Sequence, residues 1–226
     1  MAAGDQDNPR SRRALEQICS GYWRPIYLYI RGRGNTREQA EDLTQGFFER
    51  LIAKNYITDF RRERGRFRSF LLAAAKHYLA NQYDYANAAR RGGTHSDIRI
   101  DWTEGEPERT FLSEPVDCMT PETLFAREWG RTVLARTRER LQTEMQRTGK
   151  RIQFDELVEH ATGEDDLSYP QIASALGLTQ GAARVAVHRF RRRYRELLHD
   201  EIGQTLSSPD ELADEIRFLR SVLSKL

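Results

Sequence analysis

Apolar residues recur every three or four positions along most of the chain, and no stretch of useful length alternates apolar with polar residues. A spacing of three and four places apolar side chains on one face of an α-helix, whereas a half-buried β-strand requires alternation. The spacing predicts helices over about 12–31, 36–52, 67–89, 120–146 and 154–161. It therefore indicates an all-α protein without a sheet.

Capping and helix-breaking residues mark the predicted helix ends. Thr36 is followed three residues later by Gln39, a capping box that satisfies backbone donors at the start of a helix. Pro25 lies inside the first helix, where we expect it to produce a kink. Thr120 and Ser208 each precede a proline, and this order is typical of the first turn of a helix.

Two helical patterns between residues 168 and 197 are joined by a glycine turn. Ser168 and Gln171 form a second capping box. Gly177 suits the left-handed conformation that ends a helix, and Thr179 is placed to cap the next one. Two helices joined by a short turn that contains glycine are typical of a helix-turn-helix. The buried side of its second helix is expected to hold Ala183, Val187, Phe190, Tyr194 and Leu197.

The second helix of this motif is strongly basic on its other side, with six arginines in the twelve residues from 184 to 195. Gln180, Arg184 and His188 lie one turn apart near its N-terminus, where a recognition helix meets base edges in the major groove. Arginine suits guanine and glutamine suits adenine, so Arg184 and Gln180 are candidate base contacts. The arginines further along are placed to hold phosphates. The alternative interpretation is a solvated basic face on a structural helix.

Charge is segregated along the chain far more than the net charge of +2 indicates. Residues 61–91 carry a net charge of +6, whereas residues 92–124 carry −6 and contain the glycines and prolines that interrupt helices. This reversal of charge predicts a domain boundary. We expect two small helical domains over 10–93 and 120–203, an acidic linker over 94–119 and a C-terminal helical tail over 204–226.

Apolar residues in the tail step by four and three positions, which predicts a helix with one packing face. These residues are Leu212, Ile216, Leu219, Leu223 and Leu226. The tail is expected to cover the second domain, and contact with a regulator is the alternative.

The sequence lacks the residue patterns that several classes of protein function require. Two cysteines, Cys19 and Cys118, allow neither a disulfide framework nor a CxxC metal pair. The five histidines are scattered without metal-ligand spacing, and the motifs of P-loop, zinc-protease and serine-hydrolase enzymes are missing. No apolar run is long enough to cross a membrane, and no secretory signal is visible. We therefore expect a cytoplasmic protein that is not an enzyme, uses no cofactor or metal, and does not insert into a membrane.

Two stretches of the chain resemble regions of a known family. "AEDLTQGFFERL" (Ala40–Leu51), with the arginine-rich loop and the helix "FRSFLLAAAKHYLANQYDYANAARRGG" that follow it, resembles region two of bacterial RNA polymerase sigma factors. "SYPQIASALGLTQGAARVAVHRFRRRYRELL" is similar to region four of the same proteins. Their order resembles the extracytoplasmic-function (ECF) class of the sigma-70 family. The resemblance implies a sigma factor that binds core RNA polymerase and promoter DNA and directs promoter-specific transcription initiation.

The resemblance also implies which residues make these contacts. Core polymerase would be bound by one face of the second helix, at Asp42, Leu43, Gln45, Phe48, Glu49 and Arg50. The minus-ten promoter element would be bound by Arg61, Arg62, Arg64, Arg66, Arg68, Lys76, His77 and Asn81. The minus-thirty-five element would be bound by Thr179, Gln180, Gly181, Arg184, Val185, His188, Arg191, Arg192 and Arg195.

Positive charge and aromatic rings are the features that hold an unpaired strand, and the segment assigned to the minus-ten element has both. Members of this class are often held by an anti-sigma factor, so such a partner belongs to the expectation. The alternative function is a stand-alone helix-turn-helix transcription regulator, for which the polar side of the second helix would be an ordinary exposed helix face.

Overall fold

A computed structural model describes residues 9–53, 65–89, 119–158 and 168–224, with only the backbone given for 9–19 and 85–89. The helices are α1 (Pro9–Arg31), α2 (Arg37–Ala53), α3 (Phe67–Ala89), α4 (Pro121–Arg147), α5 (Arg151–Leu157), α6 (Tyr169–Leu176), α7 (Gln180–Gly203) and α8 (Leu212–Leu223), with a 3-10 turn at Pro209–Glu211. These described residues contain no β-strand, and a single antiparallel bridge joins Arg66 to Leu206. The all-α prediction is confirmed. None of the described helices has both the length and the apolar character needed to cross a membrane.

The helix ends follow the capping residues with one exception. At Thr36 the capping box is formed, because the Thr36 amide donates to Gln39 Oε1 at 3.0 Å and the Gln39 amide donates to Thr36 Oγ1 at 3.3 Å. The box predicted at Ser168 is wrong, since the Ser168 side chain makes no capping hydrogen bond and Pro170 occupies the first turn instead. The short helix predicted at 154 begins earlier, at Arg151, directly after a turn at Gly149 with φ of +70°.

The chain divides into two compact units. The first contains the described residues up to Gly130 together with those from Leu206 onward, and the second contains Arg131–Thr205. These units differ from the predicted domains, because α4 contributes to both units and α8 belongs to the first. Of the predicted acidic linker, only Met119 lies within the described residues.

The core of the first unit is built on α1, which is buried on every side from Ile26 to Ile30. A helix that is apolar all round must be covered by its neighbours. The neighbours bury Phe47, Phe48 and Leu51 from α2, and Phe67, Leu71, Ala75 and Leu79 from α3. Helix α1 continues through Pro25 without interruption.

Gly46 lies where α2 and α3 approach each other. A Cβ atom at this position would lie 2.5 Å from Tyr78 Oη, which is closer than any ordinary contact. Tyr78 is itself buried, with its ring centroid 5.8 Å from that of Phe47 in an edge-to-face arrangement. The missing side chain of Gly46 therefore sets how closely the two helices pack.

Helix α8 completes the first unit. Leu219 is buried, and the ring centroid of Phe218 lies 6.0 Å from that of Trp129. A Cβ atom on Gly130 would lie 3.0 Å from Leu219 Cδ1 and 3.3 Å from Leu223 Cδ2, so the leucine seam sits directly on α4. The tail was expected to cover the second domain. It packs on Trp129 and Gly130, which lie within that predicted domain (120–203) but belong to the first compact unit.

The second unit has its own hydrophobic core, formed by the later part of α4 together with α5, α6 and α7. Its buried residues are Leu141, Phe154, Leu157, Ile172, Ala173, Ala183, Ala186, Val187, Phe190, Tyr194 and Leu197. Four short or medium helices thus share one core, which fixes the geometry of the α6–α7 pair.

Candidate nucleic-acid interface and docking face

The turn between α6 and α7 is a tight left-handed one. Gly177 has φ of +63°, and the Leu178 amide donates to the Ala173 carbonyl oxygen at 2.8 Å, which closes the end of α6. Thr179 is extended, and its hydroxyl oxygen accepts from the Ala182 amide at 3.2 Å to start α7. The helix-turn-helix predicted from these residues is therefore present as local geometry.

The buried side of α7 is the one that the apolar spacing predicts. Ala183, Val187, Phe190, Tyr194 and Leu197 are all buried, which confirms that prediction. Ala186 is buried as well, and its small side chain gave no signal in the sequence. Burial raises the pKa of Tyr194 above its ordinary value of 10.0. This side of α7 is therefore committed to the core.

The opposite side of α7 is exposed along its first turns and presents mixed polar, apolar and basic groups. Its exposed members are Thr179, Gln180, Gly181, Arg184, Val185, His188, Arg192 and Arg195, and Arg191 is half-buried. The side chain of Val185 has 49% of its surface exposed and adds an apolar group to this surface. All nine residues predicted for this site lie on α7 or at its N-cap, and eight of them are exposed.

Arg184 is oriented by a neighbour that the sequence did not indicate. Its Cζ atom lies 5.2 Å from the centroid of the Tyr169 ring, at the start of α6. Such a cation–π contact restricts the guanidinium without neutralising it. Tyr169 therefore acts as a support for Arg184 across the turn of the motif.

Arg193 is held by two carboxylates, whereas its neighbour Arg192 pairs with one, through Nε at 3.5 Å from Glu196 Oε1. The Nη2 and Nε atoms of Arg193 donate to Glu144 Oε1 and Oε2 at 2.7 and 2.9 Å, and its Nη1 atom donates to Glu196 at 3.0 Å. These hydrogen bonds from Arg193 lower the pKa of Glu144 below its ordinary value of 4.5 and raise the pKa of Arg193 further. Arg193 thus ties α7 to α4, and it was not among the predicted DNA contacts.

The face of α2 predicted to bind a partner protein is partly exposed. Asp42 is exposed, while Leu43, Gln45, Glu49 and Arg50 are half-buried, and Gln45 Nε2 donates to Glu49 Oε1 at 3.1 Å. Phe48 requires a correction, because it is 2% exposed and packs in the core of the first unit. Two adjacent aromatic residues, Phe47 and Phe48, are both buried there, so Phe48 is not part of the exposed face.

The residues predicted to bind the minus-ten element fall into three groups. Arg61, Arg62 and Arg64 lie outside the described residues. Arg66 and Arg68 are paired with carboxylates of α8, and Lys76 Nζ lies 2.9 Å from Glu122 Oε1. The hydrogen bond from Lys76 lowers the pKa of Glu122 below 4.5. His77 and Asn81 are exposed, and the Lys76 side chain is 45% exposed despite its ion pair.

A pocket of about 260 Å³ lies beside His77 and Asn81, between α2 and α3. Phe47, Phe70 and Tyr78 give it aromatic walls, and polar groups of α2 and α3 stand around it. The lining residues are Phe47, Arg50, Leu51, Phe70, Ala73, Ala74, His77, Tyr78 and Asn81. Burial raises the pKa of Tyr78 above its ordinary value of 10.0. The pocket therefore offers aromatic surface together with polar groups to a flat ligand.

Comparison with known proteins does not extend this description. The chain matches no protein-family model, no curated protein and no solved structure.

Proposed function

We propose that the chain is a sigma factor of the extracytoplasmic-function type, which binds core RNA polymerase and directs promoter-specific transcription initiation in the cytoplasm. The observation that carries this proposal is the α6–α7 pair, whose exposed side gathers a glutamine, a stacked arginine and a row of further basic residues. This combination is what a recognition helix needs in the major groove. The α2–α3 stretch resembles region two of sigma factors, and this resemblance is the reason for including polymerase binding in the proposal.

In this proposal α7 reads the minus-thirty-five element. Arg184 and Gln180 contact base edges, while Arg192 and Arg195, further along the helix, hold phosphates. Arg193 is left out, since three of its donors bind Glu144 and Glu196 and tie it to α4.

The first unit would supply the other two contacts. Asp42, Gln45 and Glu49 present hydrogen-bonding groups to the polymerase, and the half-buried Leu43 adds apolar area to the same face. The pocket beside His77 and Asn81 suits an unstacked base of the minus-ten strand, because its aromatic walls accept a planar ring. The chain would make no bond itself, since the polymerase performs the chemistry.

A stand-alone transcription regulator is the second candidate, and the helix-turn-helix alone favours it equally. The two functions differ in whether the polymerase is needed for tight promoter binding. A regulator binds its duplex site by itself with typical affinities of about 10⁻⁸–10⁻¹¹ M. A sigma factor of the proposed kind needs core polymerase for tight and specific binding.

The test is run-off transcription with purified core polymerase on a fragment from upstream of the gene of this protein. We expect a specific new transcript when the chain is added and none without it. The matched control is core polymerase with the Arg184→Ala variant, which should bind polymerase but initiate poorly. Tight binding to the duplex without polymerase, together with no transcript and no co-elution with core polymerase, would establish the regulator instead.

A further inference from the structure

Helix α8 and the turn before it lie along the segment that leads into α3. The Gly65 amide donates to Ser207 Oγ at 2.6 Å, and the Ser207 amide donates back to the Gly65 carbonyl oxygen at 3.2 Å. The next residue pair, Arg66 and Leu206, forms the isolated antiparallel bridge. Backbone contacts therefore hold the start of the tail against one short basic stretch of the first unit.

The charges of the two segments are complementary. The described part of the basic stretch carries Arg66 and Arg68, and Arg61, Arg62 and Arg64 precede them in the sequence. The opposing segment has four acidic residues within six positions, which are Asp210, Glu211, Asp214 and Glu215. Within the described residues, Asp214 and Glu215 of the tail contact Arg66 and Arg68 of this basic stretch.

Arg68 is bound by Glu215 in the manner in which arginine binds a phosphate. Its Nε atom donates to Glu215 Oε1 at 2.5 Å and its Nη2 atom donates to Glu215 Oε2 at 2.9 Å, which is a two-bond fork. Its guanidinium carbon lies 3.7 Å from the centroid of the Phe218 ring. Helix α8 therefore supplies both kinds of group that an arginine contacts on nucleic acid, an anion and a stacking surface.

Arg66 is bound less tightly by the same helix. Its Nε atom lies 3.3 Å from Glu215 Oε2, and its Nη2 atom lies 3.4 Å from Asp214 Oδ2. The Asp214 side chain is half exposed and is shared with Arg217, whereas the Glu215 side chain is almost completely buried. Glu215 is consequently the residue that links both arginines to α8.

We propose that α8 is an internal mask, in which Asp214 and Glu215 occupy Arg66 and Arg68 in place of the phosphates of single-stranded DNA. This inference rests on the proposed function, because it takes these two arginines as strand contacts. The DNA strand and α8 compete for the same guanidinium groups. The chain by itself therefore binds single strands weakly, and any event that displaces α8 increases that binding.

The competition is tested with Glu215→Gln, and Asp210→Asn is the matched control. Both variants remove one negative charge from the same segment, but Asp210 interacts with the Ser208 hydroxyl and not with the two arginines. The probe is a fluorescein-labelled single-stranded DNA oligonucleotide of mixed sequence, followed by fluorescence anisotropy at several salt concentrations. Thermal unfolding of each variant verifies that it is folded.

We expect Glu215→Gln to bind the oligonucleotide tighter by on the order of tenfold at low salt, with Asp210→Asn equal to the unmodified chain. The dependence of log affinity on log salt should steepen by about 0.7 for each arginine released. Adding Arg68→Gln to Glu215→Gln should abolish most of the gain, which a merely structural ion pair would not produce. Equal or weaker binding by a folded Glu215→Gln variant would overturn the mask.

The unmodified chain provides a second test that does not depend on a variant. Backbone hydrogen exchange of residues 206–223 should become faster when the oligonucleotide is added, because DNA binding releases α8. Unchanged or slower exchange under saturating oligonucleotide would contradict the inference.

These outcomes are separate from those of the transcription test. A specific transcript from the unmodified chain together with no gain from Glu215→Gln would leave the sigma role standing and overturn the mask. No transcript together with a gain in strand binding would do the opposite. If neither the unmodified chain nor Glu215→Gln binds the oligonucleotide, the mask is overturned, because uncovering the arginines has created no strand contact.

Discussion

The orientation of the Arg184 side chain depends on the residues around it. Long flexible side chains lose considerable rotamer entropy when they are fixed, and this loss weakens the contacts that they make. The ring of Tyr169 lies 5.2 Å from the Arg184 guanidinium carbon and restricts it before DNA is bound. A guanidinium group that is already oriented can donate two hydrogen bonds to the two acceptors on the major-groove edge of guanine.

Arg184→Ala should therefore reduce discrimination at one base pair by about 1–3 kcal/mol. The comparison variant is Arg195→Ala, which should weaken binding to all sequences alike and reduce the salt slope by about 0.9 on duplex DNA. Both are measured with polymerase reconstituted on fragments in which each minus-thirty-five base pair is changed in turn. A uniform loss across all fragments for Arg184→Ala would identify it as a phosphate contact.

For single residues, the sequence predicts burial well where the apolar spacing within one helix determines which side faces the core. The five apolar residues predicted for the inner side of α7 are all buried. Phe48 was assigned to an exposed face by resemblance, but α2 buries both adjacent aromatic residues because α1 and α3 lie on two sides of it. Arg68 was expected at a DNA surface, and its partner Glu215 is 147 positions away, beyond the reach of any local pattern.

Between elements, the contact of α2 with α3 depends on one glycine. Gly46→Ala should destabilise the first unit by about 1–3 kcal/mol, because the added methyl group meets the buried Tyr78 hydroxyl. Tyr78→Phe removes the clashing oxygen, so the double variant should recover part of this loss. The free energies of unfolding of the four proteins in the double-mutant cycle give the coupling between the two sites. Additive effects would show that the added methyl group acts elsewhere.

The exposed face of α2 allows a prediction about assembly. Asp42→Ala together with Gln45→Ala should weaken binding to core polymerase by about 1–3 kcal/mol in total while the circular dichroism spectrum is unchanged. Glu38→Ala is the control, since Glu38 is exposed on the first turn of the same helix and outside the predicted face. Affinity is measured by titrating labelled chain with core polymerase. Full retention of affinity by the double variant would remove this face from the proposal.

Helix existence was the most predictable property at the level of elements, because caps and three-and-four spacing are local signals. The turn at Gly177 and the cap at Thr179 were located to the residue. The start of α5 was missed by three residues, since the turn that precedes it is formed by Thr148 and Gly149 without a strong apolar signal. The Ser168 box is wrong because the Ser168 side chain makes no capping hydrogen bond, although the helix begins there as predicted.

For the molecule as a whole, the sequence indicated two helical bodies but not their composition. Charge reversal and helix-breaking residues predict a linker, and they carry no information on which surface a later helix covers. The leucine seam of α8 predicted that this helix packs, whereas its site beside Trp129 and Gly130 is a contact between residues about 90 positions apart in sequence. Such a partner can be found only from the three-dimensional structure.

The membership of α8 in the first unit predicts a selective effect of truncation. Ending the chain after Thr205 should uncover Trp129 and the α4 surface around Gly130, at a cost of roughly 1.5–3 kcal/mol for each apolar side chain that loses its burial. Hydrogen exchange should then accelerate in α1–α3 and stay unchanged in α6 and α7, because those helices belong to the other unit. Faster exchange in α6 and α7 alone would contradict the assignment of α8.

The first unit is assembled from two stretches of sequence with the whole of the second unit between them. Translation at about 5–20 residues per second separates the synthesis of Gly130 from that of Leu206 by roughly 4–15 s. During this interval the nascent chain contains α1–α3 but lacks Glu215 and Leu219. Arg66, Arg68 and Trp129 therefore have no α8 to contact. A product that ends inside Arg131–Thr205 would therefore expose Arg66, Arg68 and Trp129 on its first unit and would differ in surface chemistry from the finished protein.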